Sequence, residues 1–167
     1  MRVGAALVVL GSGLASCTAL FPFEGQPHQD VPCLQVGTEC EHLLEELEPN
    51  DDASRANPGP CVDGSLPPGD QDWFVVRVCR ERTFWATLAA VENAGVVVGL
   101  FREADGLAET GRLMGCPQHP AIECVRTEDG SAYLEPVLQE GIYYLQVSSS
   151  NRAQITDYEL FGGLSDE

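Results

Sequence analysis

Apolar and polar residues alternate along much of the chain from Trp73 onward. Trp73 to Cys79 sets Phe74, Val76 and Val78 on one face, and Thr83 to Ala90 does the same with Phe84, Ala86 and Leu88. A period of two marks a strand with one buried face, because successive side chains leave a strand on opposite sides. Val96 to Phe101 predicts a third strand and Glu109 to Met114 a weaker one. Ala132 to Leu138, Ile142 to Ser148 and Tyr158 to Phe161 complete the set. Asp105-Gly106, Asp129-Gly130 and Glu140-Gly141 supply turns between them. Short strands at near-regular spacing predict an all-β sandwich. No segment sustains a helical period and no internal repeat occurs. Cys40 to Leu47 fits either one helical turn or an extended strand. Trp73 and Phe74 open a core strand and are expected to pack. Trp85, on the face opposite Phe84, is the aromatic placed for an exposed contact.

The N-terminus has a different pattern. Arg2 is followed by an apolar run from Val3 to Leu10, then by Leu14-Ala15-Ser16-Cys17. A basic start, a short apolar stretch and small residues describe a secretory signal. A cysteine directly after Leu-Ala-Ser resembles the lipobox of bacterial lipoproteins, whose cysteine is acylated. The resemblance implies a signal over residues 1–16 and a lipid on Cys17, with the outer membrane favoured. Gly11-Ser12-Gly13 lies inside this leader and outside any strand–helix unit, so it is not read as a phosphate loop. Residues 17–44 are expected to be a tether, 45–163 the sandwich and 164–167 a tail. No second long apolar run follows, so no transmembrane helix is expected.

Charge narrows the partners. The formal balance is −17, and it becomes −18 without the leader, which carries Arg2 and no acid. The sequence contains no lysine. Nucleic acid requires a basic footprint and is excluded as a partner. Cations and basic protein surfaces are favoured.

Six cysteines follow Cys17: Cys33, Cys40, Cys61, Cys79, Cys116 and Cys124. An even set in an exported chain predicts disulfides. Spacing cannot choose among the pairings, and the expectation adopted is the sequential one: Cys33–Cys40, Cys61–Cys79 and Cys116–Cys124. Cys116, His119 and Cys124 have ligand-like spacing, but they are three ligands where structural zinc takes four. A disulfide is therefore expected there.

The densest oxygen chemistry is Glu46-Leu47-Glu48-Pro49-Asn50-Asp51, followed by Gly69-Asp70-Gln71-Asp72-Trp73. Pro49 biases Glu48 toward extended backbone, where alternate side chains share a face. Glu46, Glu48 and Asn50 then point one way, as do Asp70 and Asp72. Calcium takes six to eight oxygens from carboxylates, amides, carbonyls and water, which these segments can supply if the fold joins them. Equally, Asn50-Asp51 and Gly69-Asp70 have the composition of ordinary turns.

Four motifs in order carry a family resemblance. They are Glu48-Pro49-Asn50-Asp51, Gly69-Asp70-Gln71-Asp72-Trp73-Phe74, Glu140-Gly141-Ile142-Tyr143-Tyr144-Leu145-Gln146-Val147 and Asp157-Tyr158-Glu159-Leu160. Together they resemble the bacterial pre-peptidase C-terminal domain over residues 46–162. The resemblance implies a jelly-roll-like antiparallel β-sandwich accompanying secreted proteases, with related collagenase domains binding collagen and calcium. It implies calcium held by Glu46, Glu48, Asn50, Asp51, Asp70 and Asp72. The sandwich is expected to stand alone on its lipid without a peptidase domain, and the surface aromatics on which collagen binding relies are not identified in this sequence, so collagen binding is not carried over.

Catalysis is not expected. No Gly-x-Ser-x-Gly nucleophile turn occurs, and His28, His42 and His119 lie in polar segments away from any such turn. The expected function is a lipid-anchored, calcium-stabilised binding or accessory module at the cell envelope, with an extracellular protein or polysaccharide ligand. The alternative is an envelope hydrolase without a recognisable site. Neighbouring genes separate the two, since a protease or secretion operon favours the module.

Overall fold

The computed structural model describes residues 30–37, 40, 42–91, 95–103, 116, 121–127, 129–149 and 155–165. Cys17, His28, His119 and the strand expected over Glu109 to Met114 lie outside the described residues.

Eleven strands are described: β1 (Leu44–Glu45), β2 (Asn57–Pro58), β3 (Val62–Leu66), β4 (Gln71–Val78), β5 (Arg82–Ala90), β6 (Val96–Arg102), β7 (Glu123–Thr127), β8 (Ser131–Leu134), β9 (Val137–Leu138), β10 (Gly141–Ser149) and β11 (Thr156–Leu164). The 3-10 turn Ala53–Arg55 stands before β2. None of the helical structure described is long and apolar enough to cross a membrane. One sheet runs β1-β3-β11-β5-β8, with β9 also paired to β5, and the other runs β2-β4-β10-β6-β7. The all-β sandwich is as the alternation predicts. It is not wholly antiparallel: β1 on β3 and β2 on β4 are short parallel pairs at sheet edges.

The core forms where the alternating faces meet. Phe74, Val76 and Val78 of β4 pack between the sheets with Phe84, Ala86 and Leu88 of β5, and with Leu145, Tyr158 and Leu160. Fully burying one such side chain contributes roughly 1.5–3 kcal/mol. The other face of β4 is buried as well. Trp73 and Val75 join Val97, Phe101, Tyr144 and Ala56 in a second cluster. Trp73 stands 5.7 Å from Phe101 and 6.5 Å, edge-on, from Tyr144. Trp73 is therefore a packing residue, and the larger part of β4 is buried on both sides.

Two of the three expected disulfide pairings are corrected. Cys33 pairs with Cys79 and Cys40 with Cys61, in place of Cys33–Cys40 and Cys61–Cys79; Cys116 pairs with Cys124. The reason lies in the path of the chain before β1. Cys33 bridges alongside Arg77 and Val36 alongside Leu164, so this segment lies against the far ends of β4 and β11. Leu34 donates its backbone N–H to Arg77 at 2.8 Å, and Leu34 and Val36 pack on the core. Residues 33–37 are thus part of the sandwich, and the expected tether over 17–44 is too long at its C-terminal end. The last strand likewise runs to Leu164, beyond the expected limit at 163. Of the two readings of Cys40 to Leu47, the extended one holds at Leu44–Glu45, which form β1. The Cys116–Cys124 bridge consumes the thiolates that zinc would need.

These bridges give the first prediction. Non-reducing peptide mapping of the exported protein will recover Cys33–Cys79 and Cys40–Cys61 linkages. Reducing either is expected to cost about 2–4 kcal/mol, since each closes a loop in the unfolded chain. Recovery of a Cys33–Cys40 peptide would contradict the placement of residues 33–37.

Candidate metal centre

Three local features bring the acidic residues together. Pro67-Pro68-Gly69-Asp70 closes a turn in which Asp70 N–H donates to the Pro67 carbonyl at 3.0 Å. Gly69 sits at φ 98°, a conformation open to glycine, and so aims Asp70 and then Asp72 along the start of β4. Residues 50 and 51 are laced to that same strand. Trp73 N–H donates to the Asn50 carbonyl at 3.1 Å, and the Gln71 side-chain amide donates to the Asp51 carbonyl at 2.6 Å. The parallel pairing of β1 with β3 then carries Glu46 to the same end. Its backbone N–H donates to the Asp63 carbonyl at 3.2 Å, and its Oε1 accepts from the Ser65 N–H at 2.7 Å.

The result is one acidic centre. Carboxylate oxygens of Glu46, Glu48 and Asp72 lie within 4.8 Å of one another. Asp72 and Asn50 are fully buried, whereas Glu48 is exposed. The Tyr158 hydroxyl sits between two of the acids, 2.6 Å from Asp72 Oδ2 and 3.0 Å from Glu46 Oε2. The Asn50 amide is assigned the orientation that satisfies both its ends. Its nitrogen donates to Glu48 Oε2 at 3.2 Å and Asp72 Oδ1 at 3.0 Å, and its oxygen accepts from Asn57 at 3.0 Å. The Asn50 backbone N–H also donates to Glu48 Oε2 at 3.2 Å. The Asp70 carboxyl lies against Asp51 and feels the charge of Glu48. All six residues singled out in the sequence therefore meet at one end of the sandwich.

Two participants were not singled out, Tyr158 and Gly64. They face each other across β11 and β3. A Cβ on Gly64 would stand 2.6 Å from the Tyr158 ring and hydroxyl and 2.7 Å from Glu46 Oε2. The missing side chain is the space that the tyrosine and glutamate use. The signal available in the sequence was the tyrosine itself, since a buried phenol must find a hydrogen-bond partner.

Burial and mutual repulsion raise the proton affinity of the acids at this centre. Burial pushes the Asp72 carboxyl up to about 9, with the charge of Glu46 adding to it and the Tyr158 hydroxyl opposing it. Burial and the neighbouring Asp51 push Asp70 up to about 6. Burial and the charge of Asp72 push the Tyr158 phenol up as well. Asn50, Tyr158 and backbone N–H groups are the donors described around these acids, and none is a cation. The donor set is hard oxygen throughout, crowded and partly buried, and it fits calcium.

A pH dependence follows for the protein in chelator. Asp70 and Asp72 have folded-state values above their ordinary 3.8. Protonation then favours the folded state, and its stabilising contribution is complete only below the ordinary value. That contribution is lost as pH rises through about 6 and then about 9. The melting temperature in chelator is expected to fall from about pH 5 to about pH 9. A flat profile by scanning calorimetry would contradict this.

The fold is shared with the pre-peptidase C-terminal domain of a collagenase from Bacillus anthracis, at TM-score 0.51 and 19% identity, covering 64% of this chain and 93% of that one. A periplasmic inhibitor of g-type lysozyme from Aeromonas hydrophila, PliG, aligns at TM-score 0.40 and 18% identity, over 62% of this chain and 83% of that one. The carbohydrate-binding module CBM36, solved with calcium and xylotriose, aligns at TM-score 0.34 and 13% identity, over 62% and 82%. No protein-family model matches the chain, and no curated protein matches it. The collagenase domain is the one whose motifs the sequence resembles, and at this identity the likeness concerns the fold.

Proposed function

We propose that this chain is a calcium-stabilised, non-catalytic binding module, an accessory domain held at the bacterial cell envelope by a lipid on Cys17. The observation that carries the calcium reading is the convergence of Glu46, Glu48 and Asp72 around a buried carboxylate that has no cationic partner among the described residues. Glu46, Glu48 and Asp72 would hold the ion, with Asn50, Asp51 and Asp70 beside them. Bound calcium would supply the positive charge that lets these acids ionise together. Its structural effect would be to clamp the segment before β2 to the start of β4.

The leader and Leu14-Ala15-Ser16-Cys17 support export and acylation. Anchoring also suits the fold. The chain joins the sandwich through Cys33–Cys79, at the opposite end of β4 from Asp72. Seven residue steps separate them, or about 23 Å at 3.3 Å per residue. The acidic end would then stand away from the membrane, facing an extracellular protein or polysaccharide.

Two measurements test this reading. Millimolar calcium should raise the melting temperature, and magnesium, which demands a tighter octahedral shell, should raise it much less. At a hundredfold excess over Kd the gain is about 2.7 kcal/mol. Metabolic labelling with a fatty acid should mark the wild type and not Cys17→Ser. Equal labelling of both, or the absence of a calcium shift, would remove the corresponding half of the proposal.

A further inference from the structure

The outer face of the β1-β3-β11-β5-β8 sheet takes no part in the acidic centre. Phe84, Ala86 and Leu88 point into the core, so alternation sends Trp85 and Thr87 outward. Register sets Phe161 of β11 and Tyr133 of β8 on either side of Thr87, and Gly163 beside Trp85. Strands about 4.8 Å apart make the step from Phe161 to Tyr133 about 10 Å. Val137, opposite Thr83, extends the stripe. Tyr133 is 50% exposed and Val137 63%, while Trp85 and Phe161 are half-buried.

The neighbouring row is acidic. Glu159 pairs with both Asp63 and Ala89, and Asp157 stands opposite Ser65. Asp63, Asp157 and Glu159 are exposed. Glu135 and Glu123 lie beside the Tyr133 hydroxyl. Among the described residues of these strands the outward positions carry no arginine, and the chain has no lysine.

Charge decides the occupant. An acidic polymer would be repelled, and a neutral sugar chain, although its hydroxyls can donate to the carboxylates, would leave their charge unmatched. A guanidinium suits rings and carboxylates alike, because it is held over an aromatic face and pairs its N–H groups with carboxylates. Resting on the binding-module reading above, we infer that this sheet face docks a basic protein segment, with arginine side chains over Trp85 and Tyr133 and further basic residues of the same segment met by Glu159 and Asp63.

The test titrates the full exported chain, in calcium, with a synthetic oligoarginine peptide. Titration calorimetry reads the affinity of every variant; in the wild type, where Trp73 is 1% exposed, a change in tryptophan fluorescence also reports Trp85. Trp85→Ala and Glu159→Gln are each expected to weaken binding about tenfold, and added salt to weaken it further. Trp85→Phe should retain most of the affinity, which separates loss of the ring from misfolding. Glu140→Gln, an exposed acid outside this face, should leave binding unchanged. Equal losses in Glu140→Gln and Glu159→Gln would overturn the inference in favour of diffuse attraction. So would unchanged binding by Trp85→Ala, or Trp85-dependent binding of a neutral oligosaccharide with none of oligoarginine. A calcium melting shift without peptide binding would overturn this inference alone and leave the calcium reading standing.

Discussion

Asp72→Asn will raise the melting temperature of the calcium-free protein and abolish its response to calcium. Asp72 is fully buried beside Glu46, and in chelator at neutral pH it stays buried by holding a proton that the unfolded chain does not hold. Asparagine removes that requirement. It keeps an oxygen to accept from the Tyr158 hydroxyl, which stands 2.6 Å away. Removing that proton uptake is worth about 1.4 kcal/mol for each pH unit between the ordinary carboxyl value and the working pH. In calcium the sign reverses. The wild type gains about 2.7 kcal/mol at a hundredfold excess of ion over Kd, and the variant gains nothing. Calorimetry of both proteins with chelator and with calcium reads the four values. A variant less stable than wild type in chelator would show that Asp72 acts through its hydrogen bonds and not as a displaced metal ligand.

Phe74→Ala tests the packing under the same centre. Phe74 is fully buried between the sheets and stands edge-on to Tyr158 at 6.5 Å. Its loss leaves a cavity in a core that relaxes only in part, at about 3–5 kcal/mol. For a domain of this size that lowers the melting temperature by roughly 6–20 °C. The carboxylates are untouched, so calcium should still raise the melting point of this variant. A drop of less than about 1 kcal/mol would mean the core is not closed around Phe74.

How far the sequence could be read depended on how each element is buried. Strands with one face in the core, such as β5 with Phe84, Ala86 and Leu88, announce themselves by alternation. Val62-Asp63-Gly64-Ser65-Leu66 forms β3, but its Asp-Gly-Ser centre has turn chemistry. Gly64 is there because Tyr158 and Glu46 occupy the space of a side chain. Glu123–Thr127 forms β7 at a sheet edge, where no strong apolar alternation is required. Ala132 to Leu138 reads as one strand and is two, broken at Glu135-Pro136, because proline has no N–H to give a ladder. The acidic residues were legible as a set, since their alternate spacing survives in extended backbone. Their common location depends on long-range pairing of β1 with β3 and of residues 50–51 with β4, which local spacing does not encode. The disulfide partners of Cys33 and Cys40 were hidden for the same reason.

The direct measurement of the central claim is the anomalous scattering of calcium-soaked crystals. The account predicts one strong peak within coordination distance of Glu46, Glu48 and Asp72 carboxylate oxygens, about 2.3–2.6 Å from each. Those three carboxylates in contact with one another or with water at saturating calcium, and no peak among them, would contradict it.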